Sequence, residues 1–192
     1  MTKIILASAS PQRKKLLKHL GLKFSICPSR VAEILEIQTT CADLVMKNAL
    51  LKANDVASRK KEGIVIGADS LVYPGKKKII GKPRDLREAK ENLKMLFHRP
   101  CWVYTGVAII DGQTKKEMID YEKTKIYMSP LTDGEIDRYH SHVSPLDKAG
   151  GFDIEGRGSI FIRRIEGCYF NVIGLPLSKL CLMLKQFGVS VL

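Results

Sequence analysis

The residues from Ile64 to Tyr73 read IVIGADSLVY. Apolar side chains at most of these positions predict a β-strand that is buried on both faces, as at the centre of an α/β sheet. Asp69 breaks the pattern, because a carboxylate inside an apolar strand is costly unless it is paired, hydrated or bound to a metal. Either Asp69 caps a turn at an exposed strand end, or it is a general base or metal ligand at the carboxyl end of the strand.

Helical and extended patterns alternate on both sides of this strand, which predicts a mixed α/β sheet flanked by helices. Further strands are predicted at residues 3–7, 22–27, 102–110, 117–128, 159–165 and 169–173. Helices are predicted at residues 11–20, 40–61, 85–97, 132–142 and 176–187. Four of the helices follow a residue type that favours an N-cap, namely Ser10, Thr40, Asp85 and Thr132.

The loop between the first strand and the first helix suits an anion. Ser8 and Ser10 supply hydroxyls, and Arg13 lies in the first helical turn, where backbone N–H groups are also available. A capped helix with a solvent-facing arginine explains the same residues. The chain contains neither a Walker A sequence nor G-x-G-x-x-G, so the usual nucleotide-binding loops are absent.

Composition limits the class of protein. A length of 192 residues, with 45% hydrophobic and 27% charged residues, suits one folded domain spanning residues 1–192. No apolar run of about 18 residues could span a membrane. The N-terminus does not resemble a signal peptide, and five cysteines without metal-like or redox spacing suit a reduced, cytoplasmic protein.

The net charge of +12 favours anionic partners such as phosphates and nucleotides. A lysine-rich surface set by genome composition is the alternative interpretation. The charge lies in short runs, including residues 76–78, and no basic tail is present, which argues against nucleic acid as a partner.

Two lysines and a glycine-rich segment complete the candidate residues. Lys52 lies on a predicted helix and Lys82 lies between Gly81 and Pro83, and a lysine in either place is more often a solvated charge. Residues 147–158 combine charges with glycines, which let a backbone approach a ligand closely but also suit a flexible surface loop.

Five short motifs together resemble one family. They are LASASPQR at residues 6–13, GADS at 67–70, GKPRD at 81–85, DKAGG at 147–151 and GLPL at 174–177. In this order they resemble Maf-like proteins, the nucleoside triphosphate pyrophosphatases once described as septum-formation inhibitors. The resemblance covers essentially the whole chain.

The resemblance implies both a fold and an activity. The implied fold is a mixed, strongly curved central sheet with helices on its outer faces and two lobes around a deep cleft. The implied reaction converts a nucleoside triphosphate to the monophosphate and pyrophosphate with a divalent metal, Mg²⁺ or Mn²⁺. A homodimer is also implied.

Carried over by position, the resemblance assigns roles to both carboxylates. Asp69 matches the family's proton acceptor or metal-associated carboxylate, and Glu33 falls at a second active-site carboxylate. Oxygen ligands from these two residues suit Mg²⁺ or Mn²⁺. A water deprotonated by Asp69 or by the metal would attack the α-phosphorus.

The basic and hydroxyl residues match phosphate-facing positions. Lys52 and Lys82 belong to the implied catalytic set. Ser8, Ser10, Arg13 and Lys148 belong to the implied substrate-binding set. A triphosphate carries about four negative charges, so such a cluster would hold it and stabilise the leaving pyrophosphate.

The sequence departs from the family at three residues that select the base. The thymidine/uridine branch has arginine, threonine and glutamine where this chain has Gln12, Ser70 and Glu155. The 7-methylguanosine branch shares only Glu155, while residues 147–148 and 169–172 resemble the first branch more closely. A 7-methyl-GTP pyrophosphatase is therefore one alternative.

A non-catalytic regulator of cell division that binds nucleotides or nucleic acid is a second alternative. The joint presence of Asp69, Glu33, Lys52 and Lys82 favours the enzyme, because a pocket freed from catalysis has no reason to keep a buried type of carboxylate.

Glu155 generates a prediction about base preference. A carboxylate accepts hydrogen bonds from the adjacent N–H groups of guanine or the amino group of cytosine, whereas an amide can both donate and accept, as thymine and uracil require. If Glu155 faces the base, Glu155→Gln shifts activity toward dTTP and UTP. Relative kcat/KM values across nucleotides measure this, and an unchanged ranking would contradict it.

Overall fold

The computed structural model describes residues 2–36, 39–75 and 79–191. In these ranges the helices are α1 (Pro11–His19), α2 (Cys41–Arg59), α3 (Leu86–Phe97), α4 (Asp133–His142), α5 (Tyr169–Ile173) and α6 (Leu177–Lys185). The strands are β1 (Ile4–Leu6), β2 (Phe24–Ile26), β3 (Ile64–Tyr73), β4 (Cys101–Asp111), β5 (Glu117–Met128) and β6 (Ile162–Glu166). The lysine run at residues 76–78 lies outside the described residues.

The strands form one mixed sheet with the order β2-β1-β3-β4-β5-β6, so the predicted α/β class is confirmed. Strand β1 is parallel to both β2 and β3, and its pairing with β3 ends where Leu6 lies opposite Ile66. Strands β5 and β6 are antiparallel. The pairing of β1 with β3 therefore covers only the first three residues of β3.

Side-chain caps set the predicted helix starts. The Ser10 hydroxyl accepts from the backbone N–H of Arg13, and Thr40 and Asp85 make the equivalent bonds at α2 and α3. At α4, Thr132 forms a complete capping box with Glu135. These bonds satisfy N–H groups that lack a partner within the helix, so local sequence fixes where these four helices begin.

The chain forms two compact units. The first comprises Met1–Asp69, Thr105–Glu122 and Gly174–Leu192. In its core, buried residues of α2 such as Ala49 and Ala53 pack with the apolar side chains of β1, β3 and β4. Gly67 permits this contact, because a Cβ placed on it would lie 2.3 Å from the Ala49 carbonyl oxygen. This close approach brings α2 beside the interior of β3.

The second unit comprises Ser70–Tyr104 and Lys123–Ile173. Its core joins apolar residues of α3 and α4 to those of β3, β4 and β5. Phe161 is fully buried there and meets the rings of Phe97 and Tyr139 edge-on, with centroids 5.8 and 5.1 Å apart. These contacts attach α4 firmly to the core of this unit.

Two predicted strands need correction. Residues 169–173 form helix α5, which places the Asn171 amide in the interior, where it donates to the Val103 carbonyl and the Thr124 hydroxyl. A mostly apolar run of five residues does not distinguish a strand from a short buried helix. The strand predicted at 159–165 begins only at Ile162, because residues Arg157–Phe161 form a 3₁₀ turn.

No helix within the described ranges combines the length and the apolarity needed to cross a membrane.

The packing at Gly67 generates a stability prediction. Gly67→Ala forces α2 away from β3 and lowers the free energy of unfolding by about 1–3 kcal/mol. Gly134→Ala is the matched control, since Gly134 lies in α4 with no atom within 4 Å of its Cβ position. Alanine there leaves stability unchanged or raises it by up to about 1 kcal/mol. Urea unfolding of both variants measures the difference, and equal midpoints would contradict the packing argument.

Candidate active site

Asp69 lies inside β3 and is only 6% exposed. The prediction of a position at the carboxyl end of the strand is wrong, because β3 continues to Tyr73. The alternative of an exposed turn cap is also wrong. Asp69 does lie three residues beyond Ile66, where the pairing with β1 ends. The end of the shorter neighbouring strand thus leaves room for a polar group in the middle of a long one.

Lys52 holds the Asp69 carboxylate. Its Nζ lies 2.6 Å from Asp69 Oδ1 and 2.6 Å from Glu33 Oε1, and the residue is 8% exposed. The interpretation of Lys52 as a solvated charge is therefore wrong. Burial of a carboxylate is tolerated here because an ammonium donates to it directly.

Asn48 is the polar residue that sequence reasoning missed. It lies one turn before Lys52 on the same face of α2. Its Nδ2 donates to Asp69 Oδ2 at 3.0 Å and to the Ile34 carbonyl at 2.9 Å, while its Oδ1 accepts from the Ile34 N–H at 2.9 Å. Asn48 therefore orients the carboxylate and fastens the irregular segment that carries Glu33. The sequence signal that could have identified Asn48 is its position four residues before Lys52, which places both residues on the same face of the helix.

Glu33 lies on the more solvent-exposed side of the cluster. Its side chain is 50% exposed, against 9% for the Asp69 side chain. Because both carboxylates contact the same ammonium, the structure brings Glu33, Lys52 and Asp69 together, as the resemblance implies. The two carboxylates nevertheless differ in their access to solvent.

Arg13 adds a second buried cation. It is 9% exposed, and its guanidinium donates to the Gly174 carbonyl at 2.9 Å and to the Ser8 hydroxyl at 3.2 Å. Burial lowers the pKa of Arg13, while the negative charges of Asp69 and Glu33 act in the opposite direction. The alternative of a solvent-facing arginine is wrong. With two carboxylates and two cations, the formal charges of the cluster balance.

The loop before α1 is internally bonded. The Ser10 N–H donates to the Ser8 hydroxyl at 3.2 Å, and the Ser10 hydroxyl donates to Gln12 Oε1 at 2.9 Å. Ser8 is therefore shared between the loop backbone and the Arg13 guanidinium. This arrangement places a hydroxyl and a guanidinium side by side, a pairing that suits a phosphate oxygen.

The remaining predicted residues belong to the second unit, where Lys82 and Glu155 are exposed and Ser70 is half-buried. Lys148 Nζ donates to Asp147 Oδ1 at 2.6 Å and to the Ser144 carbonyl at 3.0 Å. The Gly150 N–H donates to the Gly81 carbonyl at 3.0 Å, which joins the two segments that carry Lys148 and Lys82.

The two carboxylates of the first unit offer a partial metal site. Each directs one oxygen at a common point, which the Lys52 ammonium occupies. Among the described residues no group of three or more His, Cys, Asp and Glu side chains could hold a metal ion. Mg²⁺ is commonly held by one or two carboxylates together with substrate phosphates and waters. Since Lys52 occupies the common point, Glu33 and Asp69 would hold such an ion through oxygen lone pairs that the ammonium does not use.

Comparison with known proteins matches the chain to one family model and to relatives that carry an enzyme name. The family model described as Maf-like protein matches residues 3–187. A protein of Bacillus anthracis (strain CDC 684 / NRRL 3495) named dTTP/UTP pyrophosphatase is 46% identical over 191 residues, which cover 100% of this chain and 98% of that protein. A protein of Desulforamulus reducens with the same name is 45% identical over 191 residues, which cover 100% of this chain and 100% of that protein.

A solved structure shares the architecture. The Staphylococcus aureus Ham1 protein superposes with a TM-score of 0.53 and 17% sequence identity, over 96% of this chain and 99% of that one. At this identity the similarity concerns the fold alone.

The buried charge cluster generates a stability prediction. Lys52→Met leaves Asp69 buried without its counter-charge and lowers the free energy of unfolding by about 3–5 kcal/mol. Adding Asp69→Asn recovers part of that loss, because an amide carries no charge to compensate. Lys47→Met, at an exposed position of the same helix, is the control and changes stability little. Equal losses for the single and the double variant in urea unfolding would contradict the ion pair's role.

Proposed function

The chain belongs to the Maf-like protein family, and we propose that it is a nucleoside triphosphate pyrophosphatase that acts by attack of water on the α-phosphorus. The observation that carries the proposal is the buried cluster of Asp69, Lys52 and Glu33, with Arg13 and Ser8 in the same unit. A cluster of this kind is expensive to bury, so its presence favours catalysis over a passive binding surface.

Asp69 is the proposed proton acceptor. Water oxygen forms the new bond to the α-phosphorus as its proton passes to the Asp69 carboxylate. The bond from the α-phosphorus to the bridging oxygen breaks, and pyrophosphate departs with the electron pair. Because Lys52 and Asn48 fix both Asp69 oxygens, the acceptor is held in one orientation before substrate arrives.

Phosphate binding is assigned to Arg13, Ser8 and Lys52. A lysine ammonium carries three N–H groups, and the bonds to Glu33 and Asp69 engage two of them, so Lys52 can also donate to a phosphate oxygen. Arg13 contributes a charge that burial makes stronger toward an anion, because water screens it less. We also propose that Lys82 and Lys148 bind the leaving pyrophosphate.

The proposed cofactor is Mg²⁺ or Mn²⁺, with Glu33 and Asp69 as its protein ligands. When bound, a divalent cation offsets phosphate charge and makes a coordinated water easier to deprotonate. Glu33 suits the role because its half-exposed side chain can turn toward a cation that keeps several waters.

The proposed substrates are dTTP and UTP. Support comes from the full-length relatives that carry the name dTTP/UTP pyrophosphatase at 45–46% identity. Gln12, Ser70 and Glu155 differ from the residues expected of that branch, so we propose that this chain also accepts bases that present N–H groups to Glu155. Removal of non-canonical nucleotides is a role consistent with such a range.

Pyrophosphate release tests the proposed function. The wild-type protein, offered canonical ribo- and deoxynucleoside triphosphates, 7-methyl-GTP and 5-methyl-UTP with Mg²⁺ or Mn²⁺, is expected to release pyrophosphate. Asp69→Asn lowers kcat by about 100- to 10,000-fold, as loss of a general base does. Asp137→Asn, at an exposed carboxylate of α4, is the control and keeps the wild-type rate.

A folded wild-type protein that releases no pyrophosphate from any nucleotide would reject the proposal and make a nucleotide-binding regulator the leading interpretation.

A further inference from the structure

A closed turn carries Glu155. It spans residues 153–158, and its ends meet where the Gly158 N–H donates to Asp153 Oδ1 at 2.8 Å. A Cβ on Gly158 would lie 1.9 Å from the Asp153 carbonyl oxygen, and one on Gly156 would lie 2.5 Å from Asp153 Oδ2. Both glycines thus serve close packing around Asp153, and the turn is held shut at its base.

Tyr139 attaches this turn to helix α4. Its hydroxyl donates to Asp153 Oδ1 at 3.0 Å and accepts from the Asp153 N–H at 3.0 Å. Tyr139 is 4% exposed, and its ring packs edge-on against the fully buried Phe161. The Asp153 carboxylate therefore accepts two hydrogen bonds. One comes from the Gly158 N–H, which closes the turn, and the other comes from Tyr139, which is fixed in the core of the second unit.

The segment just before the turn is fastened separately. His140 Nε2 lies 3.3 Å from the Gly151 carbonyl oxygen, and the Gly150 N–H donates to the Gly81 carbonyl. The bonds of Tyr139 and Gly158 to Asp153 therefore act on the turn that includes Glu155, whereas the preceding residues have contacts of their own.

We propose that Tyr139 and Asp153 are positioning residues for base selection, which act by fixing the turn that presents Glu155 to the nucleotide base. The inference rests on the proposed function and deepens it. Discrimination between bases by hydrogen bonds requires an acceptor in a fixed place, since a mobile carboxylate can adapt to several base edges.

A merely structural role makes a different prediction. If the Tyr139–Asp153 bonds only stabilise the fold, their loss lowers stability, and kcat/KM falls by the same factor for every nucleotide. If they position Glu155, their loss changes the ratio of kcat/KM values between nucleotides that differ only in the base. The ratio for dTTP and dGTP is therefore the informative measurement.

The experiment compares the variants Tyr139→Phe, Asp153→Ala and Asp153→Asn. Each is made alone and in combination with Glu155→Gln. In the wild-type background, Glu155→Gln changes the dTTP/dGTP ratio by about threefold or more, and in the Tyr139→Phe and Asp153→Ala backgrounds this effect shrinks toward one. Asp153→Asn keeps an acceptor oxygen for Tyr139 and Gly158, so it retains the effect. Should Tyr139→Phe fail to fold, the two Asp153 variants carry the test.

Trypsin cleavage after Arg157 provides a readout that does not depend on activity. Arg157 is exposed within the turn, and the exposed Arg87 of α3 is an internal reference site. Asp153→Ala is expected to speed cleavage at Arg157 relative to Arg87, and Asp153→Asn to restore the wild-type ratio. Unchanged cleavage would show that Asp153 does not hold the turn and would overturn the inference.

The outcomes separate the inference from the proposed function. A wild-type protein without turnover rejects the proposed function and, with it, a role in base selection. An active protein rejects the positioning role alone if Glu155→Gln leaves the ratio unchanged, or if its effect is the same in all backgrounds.

Discussion

The buried contact between Lys52 and Asp69 is the interaction on which the candidate site depends. Two charges removed from water are stable only when their mutual attraction and further hydrogen bonds replace hydration. Here the second Asp69 oxygen is bonded by Asn48, and the ammonium is shared with Glu33. The same polar contacts that make burial tolerable also fix the carboxylate's orientation. Stability and the proposed proton transfer therefore rely on one set of bonds.

That contact is possible only because α2 lies unusually close to β3. Lys52 and Asn48 project from a helix whose small residues meet a strand position without a side chain. A larger residue at Gly67 would separate the backbones, and the hydrogen bonds to Asp69 are too short to bridge the added distance. The end of β1 opposite Ile66 supplies the remaining space. Backbone packing at Gly67 thus brings the charged groups within hydrogen-bonding distance.

Much of this arrangement could be predicted from sequence, for physical reasons that differ by residue. Asp69 was detectable because a carboxylate in an apolar strand conflicts with its surroundings, and helix starts were detectable because caps are local. The role of Asn48 could not be predicted, since the sequence around an asparagine on a helix does not indicate which residue its side chain will contact. The strand predicted at residues 169–173 failed because Asn171 is bonded to β4 and β5, a long-range contact that no local pattern records.

The glycine-rich segment at residues 147–158 shows that many glycines do not always indicate a flexible loop. Its composition equally suits a flexible loop, yet Gly150 and Gly151 have φ values of 77° and 73°, and Gly156 and Gly158 make room for Asp153. These glycines permit close packing, so the turn is constrained while Glu155 at its surface remains exposed. An exposed residue on a constrained turn can be replaced without loss of the core, because its anchors are elsewhere. If Glu155 has the proposed role, base preference would change by substitution at this one position while the buried charge cluster and its proposed chemistry stay the same.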